Sequence, residues 1–252
     1  MSVSIVPQEF AVRPGLLDGR VVLVTGASGG LGGALALDCA RAGATVILSG
    51  RNRRKLEETY DRITAVPAPT PALAPLDLAT ATAADYDALA ATIEKEFGRL
   101  DGLVHSAAML GDRSPLEMLD VPTWCRTLHV NLTAPFILNQ VLLPNLRRSP
   151  DGSVILVSSG VVRRPRPFWG AYAVSKAGLE MVREMFAEEL AGISAVRVNS
   201  VNPGAMRTAM RMSAYPGEDP SRNPSPAEVT RVFLYLLSRD SQGVSGGYFE
   251  AQ

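Results

Sequence analysis

The sequence predicts a single α/β domain of the doubly wound kind, with a mostly parallel sheet and helices on both faces. Three observations carry that expectation. Short β-branched apolar runs alternate with stretches whose apolar residues recur at helical spacing. The connections between successive runs are long enough for the crossovers that parallel strands require. A glycine-rich turn, residues 25–32, stands directly between the first run and the first helical stretch. In such an architecture ligands bind beyond the carboxyl ends of the strands, so functional residues should follow each strand.

Residues 1–19 read as an N-terminal extension without the basic start and apolar block of a secretion signal. The first strand is the run VVLVT between Arg20 and Gly26, and Leu31, Leu35 and Cys39 then mark a helix that stops at Ala42-Gly43. Thr45 to Ser49 is the second strand. Val66 to Pro75, with Pro67, Pro69, Pro71 and Pro75, reads as a loop leading into a third strand that ends at Leu76-Asp77-Leu78. A helix follows with Tyr86, Leu89, Ile93 and Phe97 on one stripe, closing before Gly98. Gly102 to Ser106, Ser153 to Ser158 and Val196 to Asn202 complete the strands.

At 252 residues the chain can bury one large core, and one domain over 1–252 is expected. Lys plus Arg and Asp plus Glu number 25 each, so the overall charge points to neither nucleic acid nor an anionic membrane. No apolar run approaches the roughly 20 residues that span a bilayer. Cys39 and Cys125 lack metal-type spacing and are expected as buried free thiols in a reducing, cytoplasmic setting, with no metal site.

In the turn Thr25-Gly-Ala-Ser-Gly-Gly-Leu-Gly32, glycines 26, 30 and 32 allow a tight bend and close approach of backbone N–H groups. The start of the following helix offers partial positive charge to a pyrophosphate. The spacing, Gly-x-x-x-Gly-x-Gly, departs from the general Rossmann fingerprint, but its place between strand and helix favours dinucleotide binding. After the second strand a site for NAD would present a carboxylate to the ribose hydroxyls. Here the chain reads Ser49-Gly50-Arg51, then Asn52 as a helix cap and Arg53, Arg54 and Lys55 in the first turn, where cations oppose the helix dipole. The missing carboxylate and the clustered cations favour the 2′-phosphate of NADP(H), with NAD(H) as the lesser possibility and a solvated basic surface as the plain alternative.

Tyr172 and Lys176 stand four apart in a helical stretch, which places them on one face about 5–6 Å apart. A free phenol titrates near pH 10, and a neighbouring cation favours the phenolate, so this tyrosine could exchange protons near neutrality.

With these motifs in order, the chain resembles the short-chain dehydrogenase/reductase family along nearly its full length. TGASGGLG looks like the family's cofactor loop, with Gly26, Ser28, Gly30, Leu31 and Gly32 toward the dinucleotide. Asp77 and Leu78 match its adenine-side pair, and Ser106 and Ala107 occupy the place of its Asn-Asn-Ala-Gly motif, here His105-Ser106-Ala107-Ala108. Pro203, Gly204 and Thr208 match its nicotinamide-side motif. Asn131 in HVNLTAPF matches its catalytic asparagine, and Ser159, thirteen residues before Tyr172, its catalytic serine. LDGLVHSAAMLGD, FWGAYAVSK and YFEAQ are similar to the YciK-like bacterial branch of that family.

The resemblance implies a Rossmann-type fold and NADP(H)-dependent hydride transfer between nicotinamide and a carbonyl or alcohol. Tyr172 would donate the proton, Ser159 would hold the reacting oxygen, Lys176 would lower the tyrosine pKa and contact the ribose, and Asn131 would hold a water of the proton relay. A homodimer or homotetramer is also implied, although the family's Asp-Gly-Gly tail is missing before Gln252. Competing readings are a non-catalytic NADP-binding regulator and a lyase or isomerase on the same scaffold.

Residues 206–226, with Met206, Met210, Met212 and Tyr215, read as a lid over a substrate pocket. Between Ser159 and Tyr172, Arg163, Arg166 and Trp169 are candidates for holding an anionic, partly apolar substrate. His105 is expected near the cofactor, whereas His129, among apolar residues, is read as structural.

Overall fold

The structure, a computed structural model, describes residues 2–252. Seven strands form one sheet: β1 (Val21–Thr25), β2 (Thr45–Gly50), β3 (Ala72–Pro75), β4 (Gly102–His105), β5 (Ser153–Val157), β6 (Arg197–Asn202) and β7 (Tyr248–Glu250). Their order is β3-β2-β1-β4-β5-β6-β7, and every adjacent pair is parallel. The chain winds outward from β1 to β3, then restarts beside β1 at β4. The carboxyl ends of β1 and β4, where Thr25 lies level with His105, therefore form a topological switch point, the usual crevice of an open α/β sheet.

The helices are α1 (Gly30–Arg41), α2 (Arg53–Thr64), α3 (Ala83–Phe97), α4 (Val121–Leu128), α5 (Ala134–Arg147), α6 (Gly170–Leu190), α7 (Ala209–Ala214) and α8 (Arg231–Leu237). One apolar layer joins Leu35 of α1 and Phe233 of α8 to the sheet, and the other joins Tyr86 of α3, Leu138 of α5 and Leu179 of α6. At the amino ends of the strands, buried Asp151 accepts from Arg20 at 3.2 Å and from Arg197 at 2.8 Å. This paired charge ties β1, β5 and β6 together at the edge opposite the switch point.

The sequence signals explain most boundaries. α3 starts with a reciprocal Thr82–Asp85 capping box and ends at Gly98 in the left-handed conformation (φ 74°). α2 is capped by Asn52, whose side chain accepts from the Lys55 N–H at 3.0 Å. Three expectations need correction. The third strand lies inside the proline-rich stretch and ends at Pro75 rather than at residues 76–78. It is an edge strand, so flanking prolines cost it no ladder bonds on the open side. A seventh strand, Tyr248–Glu250, extends the sheet beyond β6, and the Ser4 N–H donates to the Tyr248 carbonyl at 2.7 Å to fasten the N-terminal extension there. Cys39 is buried as expected, but Cys125 is exposed, because α4 turns that face to solvent.

Candidate active site

The strand ends at the switch point open on one cleft of about 860 Å³. Its floor is the turn after β1. Gly26 adopts φ 70°, and a Cβ there would come within 2.8 Å of the Ala107 Cα, while a Cβ on Gly32 would overlap the Gly26 carbonyl oxygen. These positions admit glycine alone, and they bring the start of α1 against the turn. No described side chain caps α1, so its first N–H groups are left for an anion from the cleft. Ser28, Gly30 and Leu31 line the same floor.

Beyond β2 the wall is Ser49, Gly50 and Arg51, with no carboxylate among them. Arg53 and Arg54 pair with Glu57 (3.0 Å) and Glu58 (3.9 Å) one helical turn on, which makes them part of a solvated face. Arg51 lines the cleft and, among the described residues, has no ionic partner. Of the three guanidiniums at residues 51–54, Arg51 alone lines the cleft. Asp77 and Leu78 also line the cleft; the Asp77 carboxylate accepts from the Ala79 N–H at 3.0 Å and so shapes the turn after β3.

After β4, Ser106 and Ala107 line the cleft, and the Ala107 N–H donates to the Thr25 hydroxyl at 3.2 Å. His105 does not line it. Its ring is buried, with Nε2 2.8 Å from the Asn139 Oδ1 on α5, and burial pushes its pKa down to about 4, leaving a neutral imidazole. The expectation that His105 lies at the cofactor is corrected: it points from the sheet into the α5 layer.

Asn131 stands behind the cleft wall. It sits in a π-helical turn, His129–Thr133, between α4 and α5, and is almost fully buried. Its Oδ1 accepts from the Met109 N–H at 2.7 Å, and its Nδ2 donates to the Met109 carbonyl at 2.8 Å and to the Ser175 hydroxyl at 3.0 Å. The side chain is thus committed to bracing the loop after β4, and it is Met109 rather than Asn131 that lines the cleft.

Ser159, Tyr172 and Lys176 share the wall formed by the end of β5 and the start of α6. The Lys176 ammonium donates to the Val157 carbonyl at 2.7 Å and lies 5.7 Å from the Tyr172 ring centre. Burial pushes the Tyr172 phenol up, and a hydrogen bond with Ser159 opposes that rise. Burial also pushes Lys176 down to about 8, against the opposing charge of Glu180. The ammonium is thus engaged on the Val157 carbonyl while lying beside the phenol ring. A buried phenol that keeps its proton at neutral pH is suited to act as an acid.

Pro203, Gly204 and Thr208 line the side beyond β6. The Gln252 side chain donates to the Pro203 carbonyl at 2.6 Å and the Ala205 carbonyl at 2.9 Å, and so clamps this loop. Met206, Arg166 and Trp169 line the cleft, with the Trp169 ring 5.5 Å from that of Tyr172. Arg163 does not: it pairs with Glu250 at 3.3 Å and lies 5.9 Å from the Tyr248 ring, held outward by β7, and its assignment to substrate is withdrawn. Two arginines of the wall were not singled out from the sequence, Arg126 on α4 and Arg211 on α7. Only the crossing of those helices over the cleft brings them there.

The fold and this cleft define an α/β protein of the dinucleotide-binding kind, and comparison with known proteins agrees. The short chain dehydrogenase family matches residues 20–219, and the chain belongs to the short-chain dehydrogenase/reductase family. It is 43% identical to the uncharacterised oxidoreductase YciK of Escherichia coli K12 over 244 residues, which cover 97% of this chain and 96% of the relative. Among solved structures, a short chain dehydrogenase of Pseudomonas syringae superposes with a TM-score of 0.95 at 48% identity, covering 97% of this chain and 99% of that one. A short chain dehydrogenase of Shigella flexneri 2a, complexed with NADP, gives 0.92 at 42% identity, covering 95% and 100%.

Proposed function

We propose that this chain is an NADP(H)-dependent oxidoreductase acting on a carbonyl or alcohol substrate. The observation that carries the reading is one cleft holding both the glycine cradle with an unpaired Arg51 and the Ser159–Tyr172–Lys176 wall. The related Shigella flexneri protein, complexed with NADP, supports the cofactor choice. Gly26, Ser28, Gly30, Leu31 and Gly32 would hold the pyrophosphate, Arg51 the 2′-phosphate, and Asp77, Leu78, Ser106 and Ala107 the adenine side. Pro203, Gly204 and Thr208 would bound the nicotinamide. When bound, the dinucleotide supplies or accepts the hydride.

The chain's own residues manage the oxygen and its proton. In reduction, Tyr172 donates its phenolic proton to the substrate oxygen, and Ser159 steadies that oxygen by hydrogen bonding. Lys176 holds positive charge beside the ring and fixes the end of β5 through Val157. Asn131 acts at one remove, by fixing Met109. Residues 206–226 serve as the cover of the substrate end.

The enzyme acts as a homo-oligomer in the cytoplasm on this reading. Val174, Met181 and Met185 form an exposed apolar stripe along α6, with Phe136 exposed on α5, and such a surface favours self-association. Both cysteines are unpaired, and no helix among the described residues is long and apolar enough to cross a membrane. Sedimentation at micromolar concentration tests the assembly: a monomer would contradict it.

The activity is tested by following NADPH oxidation by purified protein against aldehydes, ketones and quinones. Turnover on any of them is the expected result. NADPH binding with no turnover would favour a regulator, and substrate conversion without net NADPH consumption would favour a lyase or isomerase.

A further inference from the structure

The substrate end of the cleft is built around an unusual gathering of cations. Arg113, in the loop after β4, lies 4.9 Å from the ring centres of both Trp169 and Tyr215, and its guanidinium also donates to the Ala214 carbonyl. Arg211 lies 4.0 Å from the Tyr215 ring centre, and Arg166 donates to the Tyr215 hydroxyl at 3.2 Å. Three guanidiniums from three separate segments thus converge on one tyrosine. A fourth arginine, Arg126, lines the same cleft from α4.

The negative charge given to this group is small. Glu218 is bound by Arg211 through two contacts, 2.6 and 2.5 Å. Among the described residues, Arg113, Arg126 and Arg166 form no salt bridge, and the carboxylate whose charge reaches Arg126 is that of Asp120, the cap of α4, outside the cleft lining. The one carboxylate that lines the cleft, Asp77, stands beyond β3, on the far side from Tyr172. The chain as a whole has no net charge, so general basicity does not explain the cluster. Like charges brought together repel, and at the mouth of a cleft they raise the local concentration of anions. Trp169 stands between Tyr172 and Tyr215, and the same cleft is also lined by the apolar side chains of Met206, Met210 and Val130.

We propose that Arg126 and Arg166, with Arg113 and Tyr215 behind them, bind an anionic group of the substrate, a carboxylate or phosphate, carried on an apolar body whose carbonyl lies at Tyr172. Trp169 links the two ends of this arrangement, its ring 5.5 Å from that of Tyr172 and 6.1 Å from that of Tyr215. Arg211 is neutralised by Glu218 and holds Tyr215 in place rather than meeting the anion. This inference rests on the oxidoreductase reading of the same cleft, and its test is separable from that reading.

The test is calorimetric titration of the NADP⁺-loaded protein with octanoate, octyl phosphate and octanol, which share one apolar chain. The expected result is that one of the two anions binds at least about tenfold more tightly than octanol. The anion that does so identifies the group. Arg166→Gln and Arg126→Gln should each reduce that preference by about an order of magnitude, while Arg163→Gln, outside the cleft, should leave it intact. NADP⁺ binding measured in the same cell shows whether each variant is folded. Equal affinity for octanol and both anions in the wild-type protein would overturn the proposal without recourse to any variant, and so would a preference unaffected by both substitutions. Because no turnover is read, failure of the oxidoreductase reading would show separately, as absence of NADPH oxidation alongside intact anion binding.

Discussion

The ammonium of Lys176 donates to the Val157 carbonyl at 2.7 Å while lying 5.7 Å from the Tyr172 ring centre, so one buried charge both ties α6 to the end of β5 and faces the phenol ring. Its pKa is lowered from 10.5 to about 8 by burial, so the ammonium is present below about pH 8 and lost above it. Reductive kcat/KM should therefore fall as pH rises past about 8, and Lys176→Ala should lack that step while losing both turnover and cofactor affinity. The linkage has the opposite sense for stability. Between about pH 8 and 10.5 the unfolded chain holds this proton and the folded chain does not, so the wild type gains stability relative to Lys176→Ala as pH rises through that window. Denaturant titrations of both proteins at several pH values would show it. A pH-independent stability difference would contradict the assignment.

On the proposed reading Arg51 carries the choice of cofactor. Losing a charge-assisted hydrogen bond to phosphate costs about 1.5–3 kcal/mol, roughly ten- to a hundredfold in affinity. Arg51→Ala should lose that much for NADPH in a fluorescence titration, with NADH binding little changed. Equal wild-type affinity for the two cofactors would refute the role.

Asn131 replaces a strand neighbour for Met109 by satisfying both its N–H and its carbonyl. Asn131→Ala leaves these groups unpaired, and an unpaired buried group costs about 1–3 kcal/mol, so unfolding should shift to lower denaturant by a corresponding amount. Asn131→Asp keeps the acceptor and loses the donor to the Met109 carbonyl, and should also destabilise. Unchanged stability in both variants would remove the bracing role.

What could be read from the sequence follows from the range of the interactions involved. The turn at residues 25–32 was legible because its glycines, its flanking strand and its helix are contiguous, and Asn52 and Thr82 act within one turn of themselves. The three-residue β7 lacks a periodicity of its own and exists through pairing with β6. The displacement of Asn131 onto Met109 depends on a π turn, which carries no local signature. The outward turn of Arg163 depends on Glu250, 87 residues away. The cluster at Tyr215 is likewise assembled from segments that only the fold brings together.

The segment proposed as a cover over the substrate end is held by contacts that ligands could strengthen. Residues 206–226 contain the short helix α7 and Tyr215, and they touch the rest of the cleft through Arg113, Trp169 and Arg166. Limited proteolysis within 206–226 should slow when NADP⁺ and an anionic ligand are both present. Equal cleavage with and without them would argue for a fixed wall instead of a lid.

The central claim is that Tyr172 is the proton donor, and single-turnover NADPH oxidation by Tyr172→Phe tests it most directly. The substitution keeps the ring that packs on Trp169 at 5.5 Å and removes only the phenolic hydroxyl. With any carbonyl that the wild type reduces, hydride transfer should slow by at least about a hundredfold, the scale of general acid catalysis, while NADPH affinity stays close to wild type. Near-normal transfer in the variant, with NADPH bound, would contradict the account.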